Sequence, residues 1–321
     1  MAHFSRTPAV LEKSIHIGRN APIDPPRSSQ TSRMDEEKKS VRERAADLYT
    51  RRVFTRADLV GIGIRGRDIT RAVRRGSMLR LRRDRYALPT TADDIAEAVR
   101  VGGRLSCVSV LTLIGVFVHV CAGLHVHVPP GTSRTRSPRS EDTTVHWSSW
   151  SGESGPLHVA PLIDVVTQAV RCQAPRAAIA TLDSVLNHGL MTWDEVSSIF
   201  VALPARYMPL LALVDATAGS GPETFMRLIL RGLGVPYETQ VFLPGVGYVD
   251  FVVAGWLIIE CDSKEFHEGW KKQVDDRRRD LAAARLGYVT IRPLAADIMR
   301  EDSTVRQAVS DVIEALGPRF A

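Results

Sequence analysis

The stretch Trp256-Leu257-Ile258-Ile259-Glu260-Cys261-Asp262 restricts the fold of this 321-residue chain more than any other. Four apolar residues in a row read as a core strand. Two acids then close it two positions apart, so Glu260 and Asp262 share one face. An ionised carboxylate on a buried strand costs several kcal/mol unless a cation compensates it. Asp250 interrupts the preceding strand in the same way, and Glu223 opens the helix before that. Acids converging like this suit a hard divalent ion held by oxygen. Lys264 and His267 follow at once and supply a cation and a candidate base. The structural alternative is that Asp262-Ser263 caps the strand and Glu260 pairs with an arginine of the next helix.

Around these acids the pattern predicts an αβββαβα order over residues 219–321. A helix runs from Glu223 to Gly232, after the start signal Ser220-Gly221-Pro222. Strands follow at Pro236–Leu243, Tyr248–Val253 and Trp256–Asp262. A long charged helix, Lys271–Leu286, stops at Gly287, a strand returns at Tyr288–Arg292, and a last helix spans Ser303–Leu316. Asp276, Arg279, Ala283 and Gly287 lie at helical spacing, so one face of the long helix returns to the acids.

Charge is distributed unevenly. Residues 41–89 hold fourteen arginines against five acids, a net of +9 in a chain whose total is +6. The remainder is slightly acidic, and a basic segment on such a background points to a polyanion, with DNA the default partner. Its local pattern is helix, turn, helix, hairpin. Thr55 caps Arg56–Val60, a second helix covers Gly66–Arg75 with Ile69, Ala72 and Val73 inward, and Met78–Arg82 with Arg85–Leu88 forms a wing. That is winged helix-turn-helix order over residues 34–90. Arg65, Arg67, Arg71, Arg74 and Arg75 would meet the groove, and Arg82, Arg83 and Arg85 the phosphates.

Residues 1–33 are polar, Pro- and Ser-containing and aperiodic, and read as a disordered tail. Nothing before Met34 looks foldable, which makes Met34 an alternative start. Residues 91–218 read as a mixed α/β region that links the ends or binds a partner. Helices are expected at Ala92–Val101, Ser106–Ile114, Leu162–Arg171, Pro175–His188 and Trp193–Leu203, with strands at His125–Val128, Thr144–Trp147 and Leu157–Ala160. His125 and His127 share a strand face, with His119 and His146 near in sequence, but no carboxylate stands at ligand spacing, so packing is the expectation. Cys107, Cys121, Cys172 and Cys261 form no C-x-x-C pair, which suits a reducing cytoplasm rather than a disulfide framework or zinc knuckle. Val110–Leu124 is too short to span a bilayer, and no secretion signal precedes it. The whole is an α/β chain, α+β in its layout.

The acidic pattern resembles the PD-(D/E)XK nuclease superfamily, and more closely its branch related to very-short-patch-repair endonucleases. That branch reads glutamate on a helix, aspartate on a strand, E-x-D-G or E-x-D-S, histidine five residues later, then D-x-x-R before a glycine-aromatic strand. Here these are Glu223, Asp250, Glu260-x-Asp262-Ser263, His267, Asp276-x-x-Arg279 and Gly287-Tyr288. Asp262 occupies the superfamily's lysine position, with Lys264 two residues on, and Ala283 stands where a larger apolar residue is usual. Residues 41–90 resemble the winged-helix start of AbiEi-type antitoxins, which are DNA-binding autoregulators.

The resemblance implies Mg²⁺ or Mn²⁺ on Asp250, Glu260 and the Cys261 carbonyl. It gives His267 proton transfer, Lys264 charge stabilisation on the phosphorane, and Asp262 the orienting of either. The expected function is a metal-dependent DNA endonuclease. The alternative is an inactive, antitoxin-like autoregulator with a cognate toxin as partner. No membrane enters either reading.

Overall fold

The computed structural model describes residues 40–50, 52–149, 151, 155–261, 270–300 and 303–317, with backbone only for 270–273. The expected tail, Met34 and the segment carrying Asp262, Ser263, Lys264 and His267 lie outside the described residues. The α/β class holds: helices pack on three small sheets.

A first helix, α1 (residues 40–48), leads into β1 (Val53–Phe54), α2 (Arg56–Gly61), α3 (Gly66–Arg74), β2 (Leu79–Arg82) and β3 (Arg85–Ala87). Thr55 caps α2 through a reciprocal capping box with Asp58, as its sequence signal implies. Asp84 turns the wing at φ +57. The sheet order is β1-β3-β2, so the two-residue β1, absent from the expected elements, closes the wing sheet against β3. Helix, turn, helix and hairpin thus fall in winged-helix order.

The middle region runs α4 (Asp93–Val101), β4 (Arg104–Leu105), α5 (Cys107–Ile114), β5 (His125–Val128), β6 (Thr144–Trp147), α6 (Leu162–Cys172), α7 (Pro175–Asn187) and α8 (Trp193–Ala202). A 3-10 turn (Ala205–Tyr207) and α9 (Met208–Leu211) end it. Its sheet, β4-β5-β6, pairs β5 with β6 in parallel. The strand expected over Leu157–Ala160 reduces to one parallel bridge between Val159 and Leu105. The chain there needs only the hydrogen bonds Leu105 N to His158 O (2.8 Å) and Ala160 N to Leu105 O (2.9 Å).

The C-terminal part runs α10 (Gly221–Leu233), β7 (Tyr237–Leu243), β8 (Gly247–Val253), β9 (Leu257–Ile259), α11 (Trp270–Arg285), β10 (Val289–Ile291), α12 (Ala295–Ile298) and α13 (Thr304–Leu316). This is the expected αβββαβα order with the short α12 added. The sheet is β10-β9-β8-β7, with β9 and β10 parallel and the other pairs antiparallel. One face packs Phe251, Val253, Leu257 and Ile259 against α10 and α13. The other sets Val252 and Ile258 against Ala283 of α11, where a small side chain lets the helix approach closely.

Candidate functional site

Sheet register gathers the acids. The pairs Thr239 with Phe251, Val241 with Val249, and Phe251 with Ile259 place Gln240, Asp250 and Glu260 in one row across three strands. Residues in one row share a face, and here it is the face covered by α11. Glu223, in the first turn of α10, reaches the row through Gln240. The Gln240 Nε2 donates to Glu223 Oε2 at 2.9 Å and to Asp250 Oδ1 at 3.4 Å. Gly219 N (2.9 Å) and Ser220 Oγ (2.8 Å) also donate to Glu223, and Cys261 N donates to Asp250 Oδ2 at 2.8 Å.

Electrostatically the cluster is strained. Burial, reinforced by the Asp250 charge, pushes the Glu223 carboxyl up to about 7. The same two causes raise Glu260 to about 7, although Arg279 and Arg292 pull it down. Glu260 is 7% exposed. Its Oε1 lies 3.0 Å from Arg279 and 3.7 Å from Arg292, and Arg279 also donates to the carbonyls of Val246 and Tyr248. The alternative pairing of Glu260 with an arginine of the long helix is therefore present. Asp276 is half-exposed, and Arg279 turns to the sheet rather than to it. Burial and the neighbouring Asp250 charge together hold the Glu223 and Glu260 carboxyls toward their protonated forms. Asp262, Lys264 and His267, assigned to the same site, lie outside the described residues.

Gln240 is the member that sequence patterning does not flag. It has φ +52 inside a seven-residue strand, a left-handed conformation that costs a residue with a β-carbon about 1–2 kcal/mol. Its amide ties the helix carboxylate to the sheet carboxylate. A polar residue in a half-exposed strand carries no periodic signal of that role.

The basic face forms as the helical spacing implies. Ile69 is buried on α3, while Arg65, Arg67, Arg71, Arg74 and Arg75 are exposed. Asp68 engages Arg65 (2.8 Å) and Arg71 (3.1 Å). On the wing Arg83 is exposed and Arg85 half-buried beside Asp84. Arg82 turns back toward Gly102, and burial lowers its guanidinium, with Arg85 and Arg136 adding repulsion. Arg82 and Arg85 are thus less open to a partner than the six exposed arginines.

A second cluster lies in the middle region. One ligand atom each from Cys107, His125, His146 and Cys172 all fall within 4.8 Å of one another, a set that could hold a metal ion. His125 Nδ1 stands 3.0 Å from His146 Nε2 and 3.8 Å from Cys172 Sγ. Cys107, then the two imidazoles, hold the Cys172 thiol far down, while the partner Cys107 is raised by that same contact and by burial. For His125 and His146 the packing expectation does not anticipate this clustering with two cysteines. Their partners are cysteines eighteen and twenty-six residues away, outside any local spacing motif. It stands for His127, which bonds Ser148 O at 2.8 Å, and for His119, whose ring lies 5.2 Å from that of Phe225.

No protein-family model and no curated protein matches the chain. No helix among the described residues is long and apolar enough to cross a membrane.

Proposed function

We propose that this protein binds DNA through its winged helix and hydrolyses phosphodiester bonds at the Glu223–Asp250–Glu260 site, as a PD-(D/E)XK nuclease of the very-short-patch-repair type. The observation that carries this reading is the row Gln240–Asp250–Glu260, joined to Glu223, with two carboxyls raised to about 7. Perturbed acids from a helix and a sheet drawn together in this way mark a functional-site candidate. Asp250, Glu260 and the Cys261 carbonyl would hold Mg²⁺ or Mn²⁺. The ion would polarise a phosphate and acidify its water. Glu223, anchored by Gly219 and Ser220, steadies Gln240 and through it Asp250. His267 takes or delivers the proton, Lys264 stabilises the phosphorane and Asp262 orients them. Arg67, Arg71 and Arg74 on α3 face the groove, with Arg83 and Arg85 on phosphates. The reading places the chain in the cytoplasm with its DNA.

One observation favours a second reading, a non-enzymatic autoregulator with a toxin partner. Arg279 already pairs with Glu260 at 3.0 Å, so that acid has a cation without any metal. Nicking of supercoiled DNA by the pure chain separates the two. Cleavage that requires Mg²⁺ or Mn²⁺ and disappears in Asp250→Ala supports the nuclease. DNA binding with no cleavage in either ion supports the regulator.

A further inference from the structure

We propose that Cys107, His125, His146 and Cys172 form a structural zinc site, a closed Cys₂His₂ tetrahedron that pins four elements of the middle region together. Cys107 is the first residue of α5, His125 the first of β5, His146 the third of β6, and Cys172 the last of α6. The four ligands thus come from four separate elements, three of them at an element's end. Two of these are the parallel strands β5 and β6, each four residues long.

Two of the ligand separations are close to those around a single ion. Metal–nitrogen bonds of about 2.0–2.1 Å and metal–sulfur bonds of about 2.3 Å give tetrahedral edges of about 3.3 Å between nitrogens and about 3.6 Å between sulfur and nitrogen. The corresponding separations here are 3.0 Å and 3.8 Å. A span of 4.8 Å across all four atoms encloses a single ion rather than a polynuclear cluster. Two thiols and two imidazoles with no carboxylate exclude Mg²⁺ and Ca²⁺ by donor softness, and a tetrahedral sulfur–nitrogen set selects Zn²⁺. Backbone contacts hold the ligands in place. His125 N donates to Ser109 Oγ at 2.9 Å and Ser106 N donates to His125 O at 3.0 Å, so α5 and β5 are tied beside their ligands. The ion has a way in. His125 and Cys172 line a cavity of about 600 Å³, as do Ala296 and Met299.

This site is independent of the carboxylates. The full chain, purified from zinc-containing medium, should carry about one equivalent of zinc. After exchange into Co²⁺ it should show the visible bands of a tetrahedral thiolate site. Cys107 is buried, so its substitution risks the fold; the variants used are Cys172→Ala and His146→Ala, whose side chains reach solvent. Each should lower zinc affinity at least tenfold and remove the fall in Tm that a chelator causes in the wild type. Asp250→Ala should keep its zinc, which separates this site from the Mg²⁺ reading. A wild type with no bound zinc, no Co²⁺ bands and no Tm response to added zinc would overturn the proposal. So would a Cys107–Cys172 disulfide in the native protein, trapped by alkylation.

Discussion

Glu223 and Glu260 have their protons held in the fold up to about 7, against an ordinary glutamate value of 4.5. Between those values the folded chain binds more protons than the unfolded one, so stability falls as pH rises through that window and stays low above it. Two buried histidines, His127 and His158, are lowered by burial and act in the opposite sense, with stability lost as pH falls. A double difference isolates the acids. In metal-free buffer, wild type should lose more stability between pH 5 and pH 8 than Glu223→Gln does, by a few kcal/mol. Superimposable melting profiles across that range would make Glu223 an ordinary capping residue. Asp250→Asn should raise the Tm of the metal-free protein, because it removes the charge that repels both glutamates, and should abolish the Tm rise on adding Mg²⁺ or Mn²⁺. Calorimetry with each ion reads both effects. Asp250 and Glu260 are legible in the sequence because each breaks an apolar run, and Glu223 because it follows a helix-start signal. Gln240 is not, because its importance lies in a strand register, and the Cys/His cluster is not, because four distant elements make it.

At the scale of elements, long periodic segments are legible. So are the short α2, β5 and β6, which fall at or within one residue of their expected bounds; the shortest pieces are not. The helices α3 to α8, α10, α11 and α13 lie within a few residues of where their periodicity puts them. By contrast, β1 and β4 have two residues each and α9 and α12 four, too few to show a period, and pairing or packing alone creates them. The joint between α7 and α10 has no sequence signature either. Asp183 and Arg227, 1% and 3% exposed, meet at 2.7 Å, and Thr224 Oγ1 and Asp215 N also donate to Asp183. Burial raises Asp183 despite the guanidinium. Arg227→Met should cost about 3–5 kcal/mol because it leaves a buried acid without its cation. Adding Asp183→Asn, which keeps an acceptor but drops the charge, should recover part of that loss in denaturant titrations. Equal stability of single and double variants would show that charge is not what the joint needs. On α3, replacing Arg67, Arg71 and Arg74 together by Ala should weaken binding to every DNA sequence. It should also flatten the log–log salt slope by up to about 3, measured by fluorescence anisotropy. An unchanged slope would move the DNA contact to another face.

At the scale of the whole molecule, the basic segment is not an independent unit. Among the described residues, its own small core buries Leu59, Ile69 and Tyr86. Val41, Leu48, Val53, Leu81 and Ala87 instead belong to the core that continues through α4, α5, α6 and α8. Polar contacts follow the same route: Arg42 Nε donates to His188 O (2.7 Å), Arg44 Nε to Ile114 O (2.9 Å) and Tyr49 OH to Ala160 O (2.8 Å). The middle region couples onward as well. Ala177 and Ala180 of α7 sit in the core beneath α10, and a β-carbon on Gly221 would stand 2.2 Å from the Phe117 ring, so only glycine lets α10 begin there. Residues 91–218 therefore act as the frame that carries both the arginine face and the carboxylate row. A fragment of residues 34–90 leaves Val53, Leu81 and Ala87 without cover and should not fold alone, whereas residues 34–218 retain that core. Far-UV circular dichroism and amide dispersion of the two fragments test this. Unfolding of the longer fragment should be cooperative, and the shorter one should show neither a sigmoidal melt nor dispersed amides. A cooperative melt for residues 34–90 would mean the winged helix is self-sufficient. Its contacts with the frame would then orient it relative to the acidic site rather than fold it.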